Sequence, residues 1–245
     1  MRVLVIDVGG GSVKIRASGE SEERRMASGP QLGAQEMVDG VKRLAEGWAY
    51  DVVAIGYPGV VLNDQPATEP HNLAPGWVAF DYTAAFGCPV KIVNDAAMQA
   101  LGSYDKGKLL FLGLGTGLGS TLIVNGTLVP MELAHLPYRK GSFEDYVGVR
   151  ALNKYGKKRW RKQVADVVAR LKAALVPDEV VIGGGNVNKL KELPAGCRAG
   201  DNANAFAGGF RLWAGVKKPL SAKKTPAAAK RVPKTAAGKR KRASA

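Results

Sequence analysis

Cysteine is scarce: Cys88 and Cys197 are the only two in 245 residues. That number cannot build a disulfide framework or a cysteine-based metal site, and it points to two small thiols in a reducing compartment. Histidine is equally scarce, with His71 and His135 alone, which argues against a histidine-rich metal centre. No apolar run reaches the roughly 20 residues that span a bilayer. The N-terminus opens on a strand-like run at residues 3–6 rather than on a charged-then-apolar signal segment. A cytoplasmic protein with no membrane insertion is therefore expected.

Acid is missing from the last stretch of the chain. Residues 216–245 carry eleven Lys and Arg and no Asp or Glu, so they supply most of the net +15; the first 215 residues hold 25 basic and 21 acidic groups, a net of +4. This tail is Lys, Ala and Pro with almost no large apolar side chains. It cannot bury enough surface to offset the entropy of ordering and is expected to be disordered. Such a tail binds polyanions, polyphosphate or nucleic acid, through counterion release.

What is present is an alternation of strand and helix signals, which argues for a mixed α/β fold of one large or two small domains. Residues 2–18 read as two strands joined by Gly9-Gly10-Gly11, with Asp7 at the end of the first and Lys14 in the second. Residues 31–47 have apolar positions at helical spacing, and residues 51–55 read as a buried strand. Residues 63–77 form a long loop of the kind that often binds or covers a ligand; its Asn72 and Trp77 offer an amide and an aromatic face to a polyhydroxylated ligand, or the segment is a solvated connection with a packed Trp. Residues 157–175 are the clearest helix, with Trp160, Val164, Val167, Val168, Leu171 and Leu175 on one face and a cluster of cations in its first turns. Residues 179–182 read as a strand entering Gly183-Gly184-Gly185-Asn186, and residues 198–215 as a last helix. The segment DNANAF at 201–206 echoes NDAAMQ at 94–99, a match too short to establish a repeat.

The chemistry concentrates in residues 91–126. Asn94-Asp95 follows an apolar run, which puts a carboxylate at the end of a strand. A second strand then enters the glycine-rich turn 113–120. Glycine lets backbone N–H groups approach an anion closely, so a carboxylate beside a phosphate cradle suggests a base for phosphoryl transfer. A helix-starting Asp and a hairpin glycine cluster are the structural alternatives. Asp7 beside Gly9 and Gly10 is suited to a hydrated Mg²⁺, or is simply a turn aspartate. Glu132 and His135, with Glu144 or Asp145 beyond, form an acceptor-rich group suited to sugar hydroxyls, or a surface charge cluster.

The order of these motifs carries more than any one of them. DVGGGSVK at 7–14, GYPGVV at 56–61, PHNLAPGW at 70–77, VNDAAMQALG at 93–102, LGLGTGLGS at 112–120, ELAH at 132–135 and VVIGGGN at 180–186 together resemble the ROK family of sugar kinases, its polyphosphate glucokinase branch in particular. The resemblance covers about residues 1–215. It implies a two-lobed actin-like ATPase fold, related to ribonuclease H, with lobes at residues 1–108 and 109–198, residues 199–215 packing back on the first lobe, and a homodimer. It implies transfer of a phosphoryl group from ATP or polyphosphate to the 6-hydroxyl of a hexose, glucose above all, with Mg²⁺. On this resemblance Asp95 is the base. Asn72, Asn94, Glu132, His135 and Glu144 read the sugar. Asp7, Gly9, Gly10, Lys14, Gly115, Thr116, Gly117, Gly184 and Gly185 serve the phosphates and donor, with Asp7 holding Mg²⁺ through water. The cysteine-rich motif that many members carry after a glycine-containing E-x-G-H is missing, and Ala134 replaces the glycine, so zinc is not expected. A non-catalytic sugar-binding regulator held on nucleic acid by the tail is the alternative function.

Overall fold

The computed structural model describes residues 1–201 and 203–214; the basic tail lies outside the described residues. Strands β1 (Val3–Val8), β2 (Ser12–Ala17) and β3 (Arg24–Ala27) form an antiparallel meander. Helix α1 (Ala34–Leu44) then carries the chain to β4 (Val52–Tyr57), parallel to β1. A short hairpin, β5 (Val61–Leu62) and β6 (Gln65–Pro66), and helix α2 (Tyr82–Phe86) precede β7 (Val90–Asn94), which runs parallel to β4 and feeds α3 (Asp95–Ser103).

The second half repeats the plan. Strands β8 (Lys108–Leu114), β9 (Leu118–Val124) and β10 (Thr127–Met131) form a second meander. A small hairpin, β11 (Pro137–Tyr138) and β12 (Gly141–Ser142), leads into α4 (Glu144–Val147) and α5 (Val149–Leu175). Strands β13 (Glu179–Gly183) and β14 (Cys197–Ala199) add in parallel beside β8, and α6 (Asn204–Ala214) follows. The sheet orders β3-β2-β1-β4-β7 and β10-β9-β8-β13-β14 are the same arrangement written twice.

The repeat explains the echo between residues 94–99 and 201–206. Asp95 and Asp201 each stand just after the last strand of their sheet, and Gly102 and Gly208 each follow seven residues later in α3 and α6. The two helices cross where these glycines meet. A Cβ on Gly102 would overlap the Asn204 carbonyl oxygen, and one on Gly208 would overlap that of Met98. Each helix also packs across: α3 lies on β8 and β9, and α6 on β1 and β4.

The strands are apolar on both faces because both faces are covered. In β1, Leu4, Ile6 and Val8 point into a core shared with α1, while Val3 and Val5 point to the α6 side. In the second sheet Leu110, Leu112 and Leu114 face α5, and Leu109 and Phe111 face α3.

Two expectations need correction and one is extended. A helix does run over residues 157–175, as expected; a further helical stretch from Val149 precedes it, joined across Gly156, which is non-helical (φ 73°) and breaks the period between them. Residues 198–215 do not form one helix. Cys197–Ala199 extends the sheet as an edge strand, too short to show an alternation, and α6 starts only at Asn204. Trp77 offers no face to a ligand: it is fully buried beside Tyr57, with ring centroids 5.7 Å apart.

Candidate active site

A cleft of about 1030 Å³ lies between the two sheets' loop ends. Asn94 and Asp95 stand on its floor, at the junction of β7 and α3. Asn94 caps the helix: its Oδ1 accepts the N–H groups of Ala96 (2.9 Å) and Ala97 (3.4 Å), and its Nδ2 donates to the Gly59 carbonyl at 3.0 Å. The amide predicted to bind sugar is thus largely engaged with backbone, leaving one N–H on Nδ2. An N-cap is the expected use of Asn at a strand-to-helix junction.

Asp95 accepts the Ala96 N–H at 2.7 Å and has no cationic partner among the described residues. Burial raises its pKa to about 7; the charge of Asp7 adds to that, the Ala96 N–H opposes it, and Glu132 adds a little more. Asp7 stands opposite Lys14 across the β1–β2 ladder. Burial lifts it to about 6 against the pull of Lys14, with Glu23 adding to the rise. Of that first motif only Gly10 lines the cleft, where it lies against Asn72; Asp7, Gly9 and Lys14 are not on the lining.

One wall gathers the acceptors. Glu132, His135, Glu144 and Asn72 all line the cleft. Glu132 and His135 are 4.0 Å apart, and burial, opposed by His135 and reinforced by Glu144, raises the Glu132 pKa. Glu144 and Asp145 are told apart by their partners. Asp145 accepts the Ser142 N–H and Oγ–H, both at 2.8 Å, and those bonds lower its pKa. Glu144 instead lays its carboxylate against Gly117, where a Cβ would collide with it.

Next to this wall, in contact with it through Glu144, is the β8–β9 turn. Gly115, Thr116 and Gly117 line the cleft, and the Thr116 carbonyl accepts the Val149 N–H at 3.1 Å, which docks the turn on the start of α5. Gly184 borders both the cleft and a shallower recess that contains Gly185. Its φ of 86° and its contact with the Leu114 backbone leave no room for a side chain.

Three positioning residues escaped the sequence reading. Asn186 ties the two glycine loops together, Nδ2 donating to the Gly115 carbonyl at 3.0 Å. Buried Ser120 staples the chain at Glu132: its Oγ donates to the Met131 carbonyl (2.9 Å) and accepts the Leu133 N–H (3.0 Å). Glu69 gathers the N–H groups of Gly76, Trp77 and Val78 at 3.1, 3.1 and 3.2 Å, closing the loop that carries Asn72. Asn186 follows a glycine turn and could have been suspected from that. Glu69 and Ser120 have no sequence signal, since their partners are backbone atoms. Removing Glu69 leaves three loop N–H groups to water and frees the loop. Glu69→Ala is expected to weaken binding of a ligand that Asn72 contacts in this cleft about tenfold, as for a lost charged hydrogen-bonding group; unchanged binding would count against a positioning role.

The ROK family model matches residues 3–130, more than half of the chain. The chain belongs to the ROK family. Polyphosphate glucokinase of Mycobacterium tuberculosis (strain ATCC 25618 / H37Rv) is 31% identical over 148 residues, which cover 54% of this chain and 56% of that protein. The chain therefore spans about half the length of the curated relatives it matches. The inorganic polyphosphate/ATP-glucomannokinase of Arthrobacter sp. strain KM superposes with a TM-score of 0.75 at 21% identity, covering 87% of this chain and 98% of that one. A ROK family glucokinase from Streptomyces griseus, in complex with glucose and AMPPNP, gives 0.71 at 18% identity, covering 86% and 99%. At such identities these structures establish the fold, which is the two-lobed actin-like α/β fold of ROK sugar kinases.

Proposed function

We propose that this ROK member is a hexose kinase, transferring the terminal phosphoryl group of ATP or inorganic polyphosphate to the 6-hydroxyl of a hexose, with glucose the expected acceptor. The observation that carries the reading is the position of Asp95: a buried carboxylate, without a counter-cation among the described residues, in the same cleft as the acceptor wall and the glycine turn. In this reading Asn72, Glu132, His135 and Glu144 accept from and donate to the sugar hydroxyls, and the spare N–H of Asn94 adds one donor. Asp95 aligns the 6-hydroxyl and takes its proton as the new O–P bond forms and the donor's bridging O–P bond breaks. The products are the sugar phosphate and ADP, or a polyphosphate shorter by one unit. The backbone N–H groups around Gly115–Gly117 hold the moving phosphoryl charge, the larger share of such catalysis.

Mg²⁺ belongs to this reading, with Asp7 the residue that would hold it. Asp7 is buried behind the cleft lining with only Lys14 opposing its charge, and that charge helps to raise the Asp95 pKa; a hydrated cation reached through water would relieve both. Among the described residues no group of three or more His, Cys, Asp or Glu gathers for a metal, so Asp7 would hold the ion mainly through its waters. The ion supplies charge neutralisation on the donor phosphates.

The reading is supported by the names of relatives that use polyphosphate and by the solved fold neighbour that holds glucose and AMPPNP. Its test is a sugar panel assayed with ATP and with polyphosphate, on the full chain and on a chain without residues 217–245. Glucose phosphorylation by both forms is expected, with polyanion binding at low salt reduced in the shortened chain. Absence of any sugar phosphate with either donor overturns the kinase reading in favour of a sugar-binding regulator.

A further inference from the structure

Residues 146–165 hold seven Lys and Arg and no acid. Arg150 and Lys154 line the cleft, as does Lys140 from the β11–β12 hairpin. Past the break at Gly156, Lys157, Lys158 and Lys162 continue on the exposed side of α5. Among the described residues none of the seven is in an ion pair. Arg161 is anchored instead by its Nε–H to the Lys189 carbonyl at 2.7 Å. Like charges crowded on one helix repel. The cations thus fall in two groups on either side of the kink at Gly156, and the inner group, Arg150 and Lys154, lines the same cleft as the Gly115–Gly117 turn.

We infer that this half of α5 is an entry track for inorganic polyphosphate chains too long for the cleft, and that it makes long chains better donors than short ones. The inference rests on the reading of Asp95 and Gly115–Gly117 as the transfer site. Two groups of cations, the inner one sharing a cleft with a phosphate-binding turn, fit a linear polyanion delivering its terminal group. Nucleic acid fits less well, because single-strand binders stack bases on open aromatic rings. The Tyr155 ring is already taken: it stacks on Tyr146 (6.3 Å, 15°), Arg159 lies 4.5 Å from its centroid, and Lys154 lies 5.3 Å away. Trp160 is fully buried. The track therefore offers charge without a stacking platform.

The test removes Lys157, Lys158 and Lys162 together as alanines, leaving the cleft-lining cations and the anchored Arg159 and Arg161 in place. Full-length wild type and variant are compared with long polyphosphate, tripolyphosphate and ATP over a salt series. The variant is expected to lose about fivefold or more in kcat/KM for the long polymer at low salt, with a log–log salt slope shallower by about 2, at about 0.7 for each lost phosphate contact. Turnover with tripolyphosphate and ATP stays within twofold. An unchanged long-chain kcat/KM, or an equal fall for all three donors, overturns the track. Equilibrium binding of long polyphosphate is measured on the same two proteins. If only ATP is turned over, polyphosphate is not a donor and the track is overturned, while the hexose-kinase reading stands. If the triple substitution instead removes binding of a single-stranded DNA that outcompetes polyphosphate, the surface is a nucleic-acid site and the inference is wrong.

Discussion

On the proposed hexose-kinase reading, Asp95→Asn is expected to cut glucose phosphorylation by about 10²–10⁴-fold, the range for loss of a positioned base, and at the same time to make the protein more stable at pH 7.5. Both effects come from one feature. The carboxylate is buried, lies near other acids and has no counter-cation among the described residues, so its charged form is held at a cost. Asparagine keeps the oxygen that accepts the Ala96 N–H and discards the charge. The sign of the linked pH effect follows. The folded pKa of about 7 is above the unfolded value of 3.8, so the folded chain binds the proton more tightly. Stability must then fall as pH rises from about 4 through about 7, and acidification within that window restores it. Asp7, at about 6, acts in the same direction. Metal-free wild type is therefore expected to melt at a higher temperature at pH 5.5 than at pH 7.5, and Asp95→Asn to flatten that dependence while leaving the share of Asp7. A gain on the order of 1–2 kcal/mol at pH 7.5 corresponds to a Tm rise of about 3–8 °C. Undiminished turnover removes Asp95 as base; a Tm that falls shows that its charge is compensated by something other than the groups named here.

The second large effect lies in the helix crossing. Gly102→Ala and Gly208→Ala each place a methyl group on a backbone carbonyl of the partner helix, and a carbonyl cannot rotate away as a side chain can. Overpacking of a core costs about 1–3 kcal/mol and sometimes more. Against it stands the helix preference of Ala over Gly, about 1 kcal/mol. The steric term wins because α3 and α6 are held from both sides by the two sheets, so separating them opens the apolar layers on each side. Each single substitution is expected to lower the Tm by about 5 °C or more. It should also reduce kcat, since Asp95 begins α3. The pair should cost clearly less than the sum, because the first methyl already parts the helices that the second would part. Strict additivity in denaturant unfolding would show that the two glycines do not share one contact.

Much of this was readable beforehand for identifiable reasons. Strands covered on both faces announce themselves as continuous apolar runs, and the strand-end positions of Asp95, Gly115 and Gly184 follow from where those runs stop. Local interruptions were harder. Gly156 cuts a short helical stretch from Val149 off from the helix legible at 157–175, and the three residues of β14 are too few to show a period. Side chains that serve distant backbone were invisible. Nothing local to Glu69 distinguishes it from any loop acid, yet it ties three successive N–H groups, while Asp145, next to Glu144 in the chain, is committed to Ser142.

By itself the sequence determined the alternation of strands and helices, the glycine turns and the residue types available for phosphoryl transfer, because those depend on neighbours along the chain. Tertiary structure decided the rest. It showed the echo of residues 94–99 in 201–206 to be a repeat of topology, with Gly102 and Gly208 at the crossing. It withdrew Trp77 into the core, committed most of the Asn94 amide to capping α3, and separated Glu144 from Asp145 by their partners. It also raised Asp95 toward neutrality, since burial and the charges of Asp7 and Glu132 act through space, between residues that the chain itself keeps far apart.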